Sequence, residues 1–130
     1  MCPRRIFLWL VLPLALAAQE IPRPEHPQPQ FQREQWLTLN GSWDFEFDDA
    51  DRGLAEDWAA GAKKFSKKIV VPFAFETKKS GIGDTSFHPV VWYRRTFDIP
   101  AAWGNKRVLL NFGAVDYQAR VWVNGKAAGE

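Results

Sequence analysis

From Ser42 to Asp48 the chain alternates without a break, Trp43, Phe45 and Phe47 being separated by Asp44, Glu46 and Asp48. Side chains of an extended strand point to opposite faces in turn, so this period of two sets three aromatic rings on one face and three carboxylates on the other. Four further stretches carry the β-branched and aromatic bias of strands: Lys68 to Phe73, Val90 to Ile99, Arg107 to Phe112, and Tyr117 to Val123. Asn40-Gly41 precedes the first strand and Asn124-Gly125 follows the last. Both central residues of a type I′ turn need positive φ, which Asn and Gly tolerate, so Asn124-Gly125 is the strongest hairpin signal in the chain. Only Ala127, Ala128, Gly129 and Glu130 come after Lys126. The expectation is therefore a hairpin without its return strand, with Tyr117 to Val123 exposed along one edge and the isolated chain prone to aggregate. Leu54 to Ala60 is the one helical candidate, closed by Gly61, and Lys63, Lys64, Lys67 and Lys68 after it read as a solvated basic loop. Short strands between turn signals, with no strand-helix alternation and no repeat, predict an all-β fold: an antiparallel jelly roll or β-sandwich lacking its last strands.

Length limits this to one domain. A (β/α)₈ barrel needs about 250 residues, and the chain has 130. Residues 1–17 read as a secretory signal peptide: Arg4 and Arg5 precede the apolar run Ile6 to Ala15, and Ala15-Leu16-Ala17 offers small residues for cleavage. The rival reading, a membrane anchor, fails because the run falls short of about 20 residues and is interrupted by Pro13. Cys2 lies before the apolar run, which argues against a lipoprotein. The mature chain is expected to be secreted or periplasmic, with no membrane attachment. Of 17 basic residues the leader removes Arg4 and Arg5, leaving 15 to balance 15 acidic ones. That balance removes the electrostatic support for nucleic-acid binding. The only cysteine leaves with the leader, so neither disulfides nor thiol chemistry can contribute. Residues 18–30 contain Pro22, Pro24, Pro27 and Pro29 and read as an extended proline-rich arm, a spacer more than a recognition ligand. The domain itself is expected over 31–130.

Catalytic patterns are absent from the sequence. His26 sits in the arm and His88 in a loop before Pro89; there is no Gly-x-Ser-x-Gly elbow, phosphate-binding glycine loop or His-Glu-x-x-His helix. Asp48, Asp49 and Asp51 offer oxygens to a hard cation, but they lack the spacing of a calcium loop and read as an acidic turn. No metal and no cofactor is expected. No spacing singles out two carboxylates for glycoside cleavage. Asn40-Gly41-Ser42 has the form of an N-glycosylation acceptor, with a plain turn as the simpler reading. Trp92, Tyr93 and Trp122 lie near Arg94, Arg95, Arg120 and Asn124, which suits stacking against sugar rings; plugging the core is the alternative.

Four stretches, taken in order, resemble the N-terminal domain of glycoside hydrolase family 2, the family of β-galactosidases, β-glucuronidases and β-mannosidases. They are Trp36-Leu-Thr-Leu-Asn-Gly-Ser-Trp-Asp-Phe45, Ile69-Val-Val-Pro-Phe73, Val91-Trp-Tyr-Arg-Arg-Thr-Phe97, and the long run from Val108 through Phe112-Gly-Ala-Val-Asp-Tyr117 to Val121-Trp-Val-Asn-Gly-Lys126. The resemblance covers Pro24 to Glu130. It implies a jelly-roll sugar-binding domain, the first of several, bracing a later catalytic barrel that carries two glutamates and hydrolyses β-glycosides with retention. The carbohydrate and that barrel are the implied partners. No catalytic residue transfers. The substrate-side Asn that follows the Val-Pro segment in the best-known β-galactosidases corresponds to Ala74 here, and the His-x-Gly-Gly-Tyr stretch expected after the hairpin has no counterpart. Glu76, Asp116 and Trp122 are the candidates for sugar-facing or barrel-facing roles. A stand-alone secreted carbohydrate-binding module is the alternative, and a ligand-free cell-surface sandwich a third reading.

Overall fold

The structure, a computed structural model, describes residues 20–130. The leader expected over 1–17 lies outside the described residues. Five strands appear: β1 (Gly41–Phe47), β2 (Lys67–Val71), β3 (Val91–Arg94), β4 (Val121–Val123) and β5 (Lys126–Gly129). The only helical turns among the described residues are four three-residue 3₁₀ pieces. All pairing is antiparallel. The fold is all-β, as the period-two pattern predicts.

The alternating segment is the centre of a three-stranded sheet ordered β2-β1-β3. Residues directly opposite across a sheet share a face. Trp43 pairs with Ile69 and Phe45 with Tyr93, so the aromatic face of β1 joins Ile69 and Tyr93 into one apolar layer. Phe45 and Ile69 are fully buried there, and the Phe45 ring meets Phe47, Tyr93 and Phe75 at centroid distances of 5.0, 5.1 and 6.1 Å. The acidic face is covered too, because each acid finds a partner. Asp44 is ion-paired to Lys68 on β2 and lies 3.9 Å from Arg94 on β3. Glu46 accepts from the Ser66 amide at 2.7 Å and faces the Lys63 ammonium at 3.8 Å. Trp58 and Phe65, both buried, complete this second layer.

Several elements depart from expectation. Leu54 to Ala60 does not form an α-helix; it is a series of turns ending in the 3₁₀ piece Trp58–Ala60. Seven residues between Gly53 and Gly61 are too few to repay helix nucleation. Of the basic stretch expected to be a solvated loop, Lys67 and Lys68 begin β2, and Lys63 lies 3.9 Å above the Trp58 ring. Arg107 to Phe112 forms no strand, and the strand expected from Tyr117 begins only at Val121. The hairpin also differs from expectation, since β4 does have a return strand. Asn124, with φ at 50°, and Gly125, at 75°, turn the chain in two residues. Val123 is thereby brought opposite Lys126 and Trp122 opposite Ala127. So tight a turn needs only the few residues that follow Gly125, and one edge of β4 is paired where none was expected to be, while its other edge has no partner strand among the described residues.

The hairpin packs on the acidic side of the sheet, where Trp122 stacks on Trp92 with centroids 5.3 Å apart. Its turn rests on Ala59 and Ala60: a Cβ added at Gly125 would sit 3.5 Å from the Ala60 Cα. At the opposite end, Asn40 Nδ2 donates to the carbonyls of Pro22 (3.2 Å) and Arg23 (3.0 Å), clasping the proline-rich arm. Arg95 Nη1 donates to the carbonyls of Leu39 and Asn40 at 2.6 and 2.9 Å.

Candidate functional site

Two side-chain clusters flank the central sheet. The first is built on Asp48, just beyond β1, whose carboxylate is buried. One oxygen accepts from the Arg52 amide at 2.9 Å; the other accepts from the Gly53 amide at 2.7 Å and from the Trp92 indole at 3.0 Å. Burial alone would raise the Asp48 pKa, but these three donors, with the charge of Lys63, hold it below the ordinary carboxylate value. Trp92 is thereby fixed between Trp58, 5.8 Å away, and Trp122. A glycine is required at 53, because a Cβ there would lie 2.5 Å from the indole. Arg94, next along β3, lies 4.1 Å over the Phe65 ring and donates to the Lys63 carbonyl at 3.0 Å. Every polar atom of this cluster that touches Trp92 is already bonded, so it acts as a pin joining β1, β3 and the hairpin. Trp92 takes the core-plugging role.

The second cluster centres on His88. Its Nδ1 lies 2.7 Å from Asp49 Oδ1, and its ring stacks on Phe47 at 3.6 Å and 18°. Phe75 closes the edge at 5.8 Å. Nε2 is buried without a hydrogen bond, although Asp84 Oδ2 lies within ion-pair reach at 3.5 Å. The bond to Asp49 raises the His88 pKa above its ordinary value; burial opposes this, and the charges of Asp49 and Asp84 add to it. Asp84 is lowered, first by the Ser86 amide and hydroxyl and then by His88. Beside this cluster, Phe47, Lys67, Lys68, Gly81, Ile82 and Asp84 line an open cleft of about 310 Å³. Its lining combines two lysines, an aspartate and a phenylalanine, residue types found in sites for small polar ligands.

The three candidates from the sequence do not converge. Trp122 is half-buried against Trp92. Glu76 is exposed and acts on Tyr93, whose phenol pKa is raised first by burial and then by that carboxylate. Asp116 is exposed and makes no ion pair among the described residues. The His88 cluster escaped the sequence reading because Asp49 and His88 are 39 residues apart; the Asp84–His88 spacing of four was the only local signal. Among the described residues no three His, Cys, Asp or Glu side chains come together as a metal site.

Antiparallel sheets with aromatic and ionic layers on both faces of a central strand define an all-β domain of the sandwich class. Residues 36–130 match the model of the glycosyl hydrolases family 2 sugar-binding domain, and the chain belongs to that family. It is 32% identical to a beta-glucuronidase of Paenibacillus borealis, over 67% of this chain and 15% of that protein. The beta-glucuronidase of Canis lupus familiaris is also 32% identical, over 71% of this chain and 16% of its own length. That of Rattus norvegicus is 28% identical, over 96% of this chain and 21% of its own. The chain thus spans about a sixth to a fifth of these relatives' length.

Proposed function

We propose that residues 36–130 are the sugar-binding scaffold of an exported glycosidase that hydrolyses O-glycosyl bonds of β-glycosides, of the β-glucuronidase or β-galactosidase kind. The chemistry belongs to a catalytic barrel outside these 130 residues, and the chain alone is inactive. The observation that carries this reading is the family match over the whole folded sheet and hairpin, joined to relatives named as beta-glucuronidases. Assay of the purified chain on aryl β-glucuronides and β-galactosides tests it. The expected rate is that of buffer; turnover that co-purifies with the chain and survives removal of contaminating enzymes overturns the proposal.

One observation favours a second reading, a carbohydrate-binding module that works without a barrel. The β4–β5 hairpin closes within the chain, so the domain has no need of a strand from elsewhere to complete that unit. Titration with β-glycosides separates the two: saturable binding by the 18–130 segment alone favours the module, and binding that appears only when a catalytic barrel is joined to the segment favours the scaffold. Export rests on residues 1–17, and N-terminal sequencing of secreted material should begin at Ala18.

A further inference from the structure

The chain contains two Asn-Gly pairs, Asn40-Gly41 and Asn124-Gly125, in opposite surroundings. We propose that Asn124 is a site of spontaneous covalent modification, intramolecular deamidation, and that Asn40 is protected from it by the fold. The reaction needs no enzyme and no co-reactant other than water. The backbone nitrogen of residue n+1, having lost its proton to base, attacks the Asn Cγ; the new N–Cγ bond forms as the Cγ–Nδ2 bond breaks, and nitrogen leaves as ammonia after taking a proton from solvent. Water then opens the five-membered imide at either carbonyl, giving aspartate or an isoaspartate whose main chain runs through the side-chain carbon. A following glycine favours the attack because no Cβ obstructs the nitrogen.

At Asn124 the side-chain amide is unrestrained, and the only packing against the reacting groups is the contact of Gly125 with Ala59 and Ala60. Asn124 and Gly125 are exposed, and no side-chain hydrogen bond engages the amide. The turn joins a two-stranded hairpin, and all four residues of β5 are exposed. With no third strand to break, lifting the turn off Ala59 and Ala60 is a local opening that leaves the three-stranded sheet intact and frees the backbone for attack. At Asn40 both sides of the reaction are restrained. The departing nitrogen donates to Pro22 and Arg23. The Asn40 carbonyl accepts from Arg95, whose guanidinium comes within 3.3 Å of a Cβ position at Gly41. Gly41 itself is the first residue of β1 and is paired with Val71.

Deamidation at Asn124 has a structural reach beyond one added charge. Isoaspartate lengthens the turn by a methylene and removes the register that brings Trp122 opposite Ala127. The Trp122–Trp92 stack is the readout of that register.

The test ages the full chain in mildly alkaline buffer and maps it with trypsin. Cleavage after Arg33, Arg52, Arg120 and Lys126 puts the two sites on separate peptides, Glu34–Arg52 and Val121–Lys126. Asn124 should convert at least about ten-fold faster than Asn40, the ratio expected if one site opens locally and the other only with the sheet. In urea the Asn40 rate should rise to match. A synthetic peptide covering Val121 to Lys126 sets the unrestrained rate. Equal rates at the two sites in the folded chain, or an intact Asn124 while the peptide converts, overturns the proposal. In Asn124→Gln the slow change in tryptophan ellipticity that accompanies ageing should vanish; its persistence would show that the change has another source.

Discussion

The stretches on either side of Arg94 are written in the same alphabet of alternating apolar residues and turn pairs, yet they are packed very differently. Among the described residues the four buried apolar side chains, Phe45, Trp58, Phe65 and Ile69, all lie before Arg94. Beyond it, Leu109, Phe112 and Tyr117 are 52, 51 and 95% exposed. The cause is pairing. β1 has a hydrogen-bonded neighbour on each edge, and each neighbour contributes residues to both of its faces. Arg107 to Phe112 also sets Val108, Leu110 and Phe112 on one face, with Leu109 alone breaking the polar side, but lies beside no strand among the described residues. A period of two thus proposes a strand, and a partner is needed to make one.

The contrast is open to test, and the sharpest test lies in the core. Phe45→Ala should cost about 3–5 kcal/mol, while Leu109→Ser, in the exposed stretch, should stay within about 0.5 kcal/mol. Chemical denaturation of both variants settles the point; equal losses would mean that the two stretches are packed alike. Gly53→Ala is next. Its Cβ collides with the Trp92 indole, and overpacking of this kind costs about 1–3 kcal/mol. Loss of the Trp92 near-ultraviolet signal in that variant would place the strain at the pin.

The two clusters also predict opposite responses to pH. Asp48 is lowered in the fold, so its stabilisation is present above the ordinary value of 3.8 and is lost as pH falls through the lower folded value. His88 is raised, so its stabilisation is complete below the ordinary value of 6.5 and is lost as pH rises through the higher folded value. Melting temperature should therefore decline as pH rises above 6.5 and through the raised folded value, and His88→Gln should remove that decline while leaving the acid limb in place. The smallest effect belongs to the exposed Lys68–Asp44 pair: Lys68→Ala should change stability by about 0–1 kcal/mol, and less in high salt. A larger loss, measured by the same denaturation, would mean that the acidic face of β1 depends on charge more than on its aromatic cover.

Much of the first stretch is legible in the sequence because its signals are local. The alternation of Trp43, Phe45 and Phe47 specifies β1; in the second stretch the one equally local signal, Asn124-Gly125, specifies the two-residue turn. The turn's consequence was harder to read. So few residues after Gly125 looked insufficient for a strand, but a turn of two residues spends none of them on a loop. The lysines from Lys63 to Lys68 read as solvated because their acceptors, Asp44 and Glu46, are about 20 residues away and on another strand. A still greater separation, 39 residues, hides the Asp49–His88 contact. Glu76, Asp116 and Trp122 were chosen by position in a family pattern, which carries no information about which of them are neighbours in space.

The central place of β1 has a consequence for the order of synthesis. Among the described residues it is the first strand to be made, and both of its neighbours come later in the chain. At roughly 5–20 residues per second, the wait between completing Phe47 and completing Arg94 is roughly 2–10 s. Through that interval the nascent chain carries a ladder of three large aromatic rings with one edge still open. Until Arg94 is added, at least one hydrogen-bonding edge of that strand stays open to pairing with other chains.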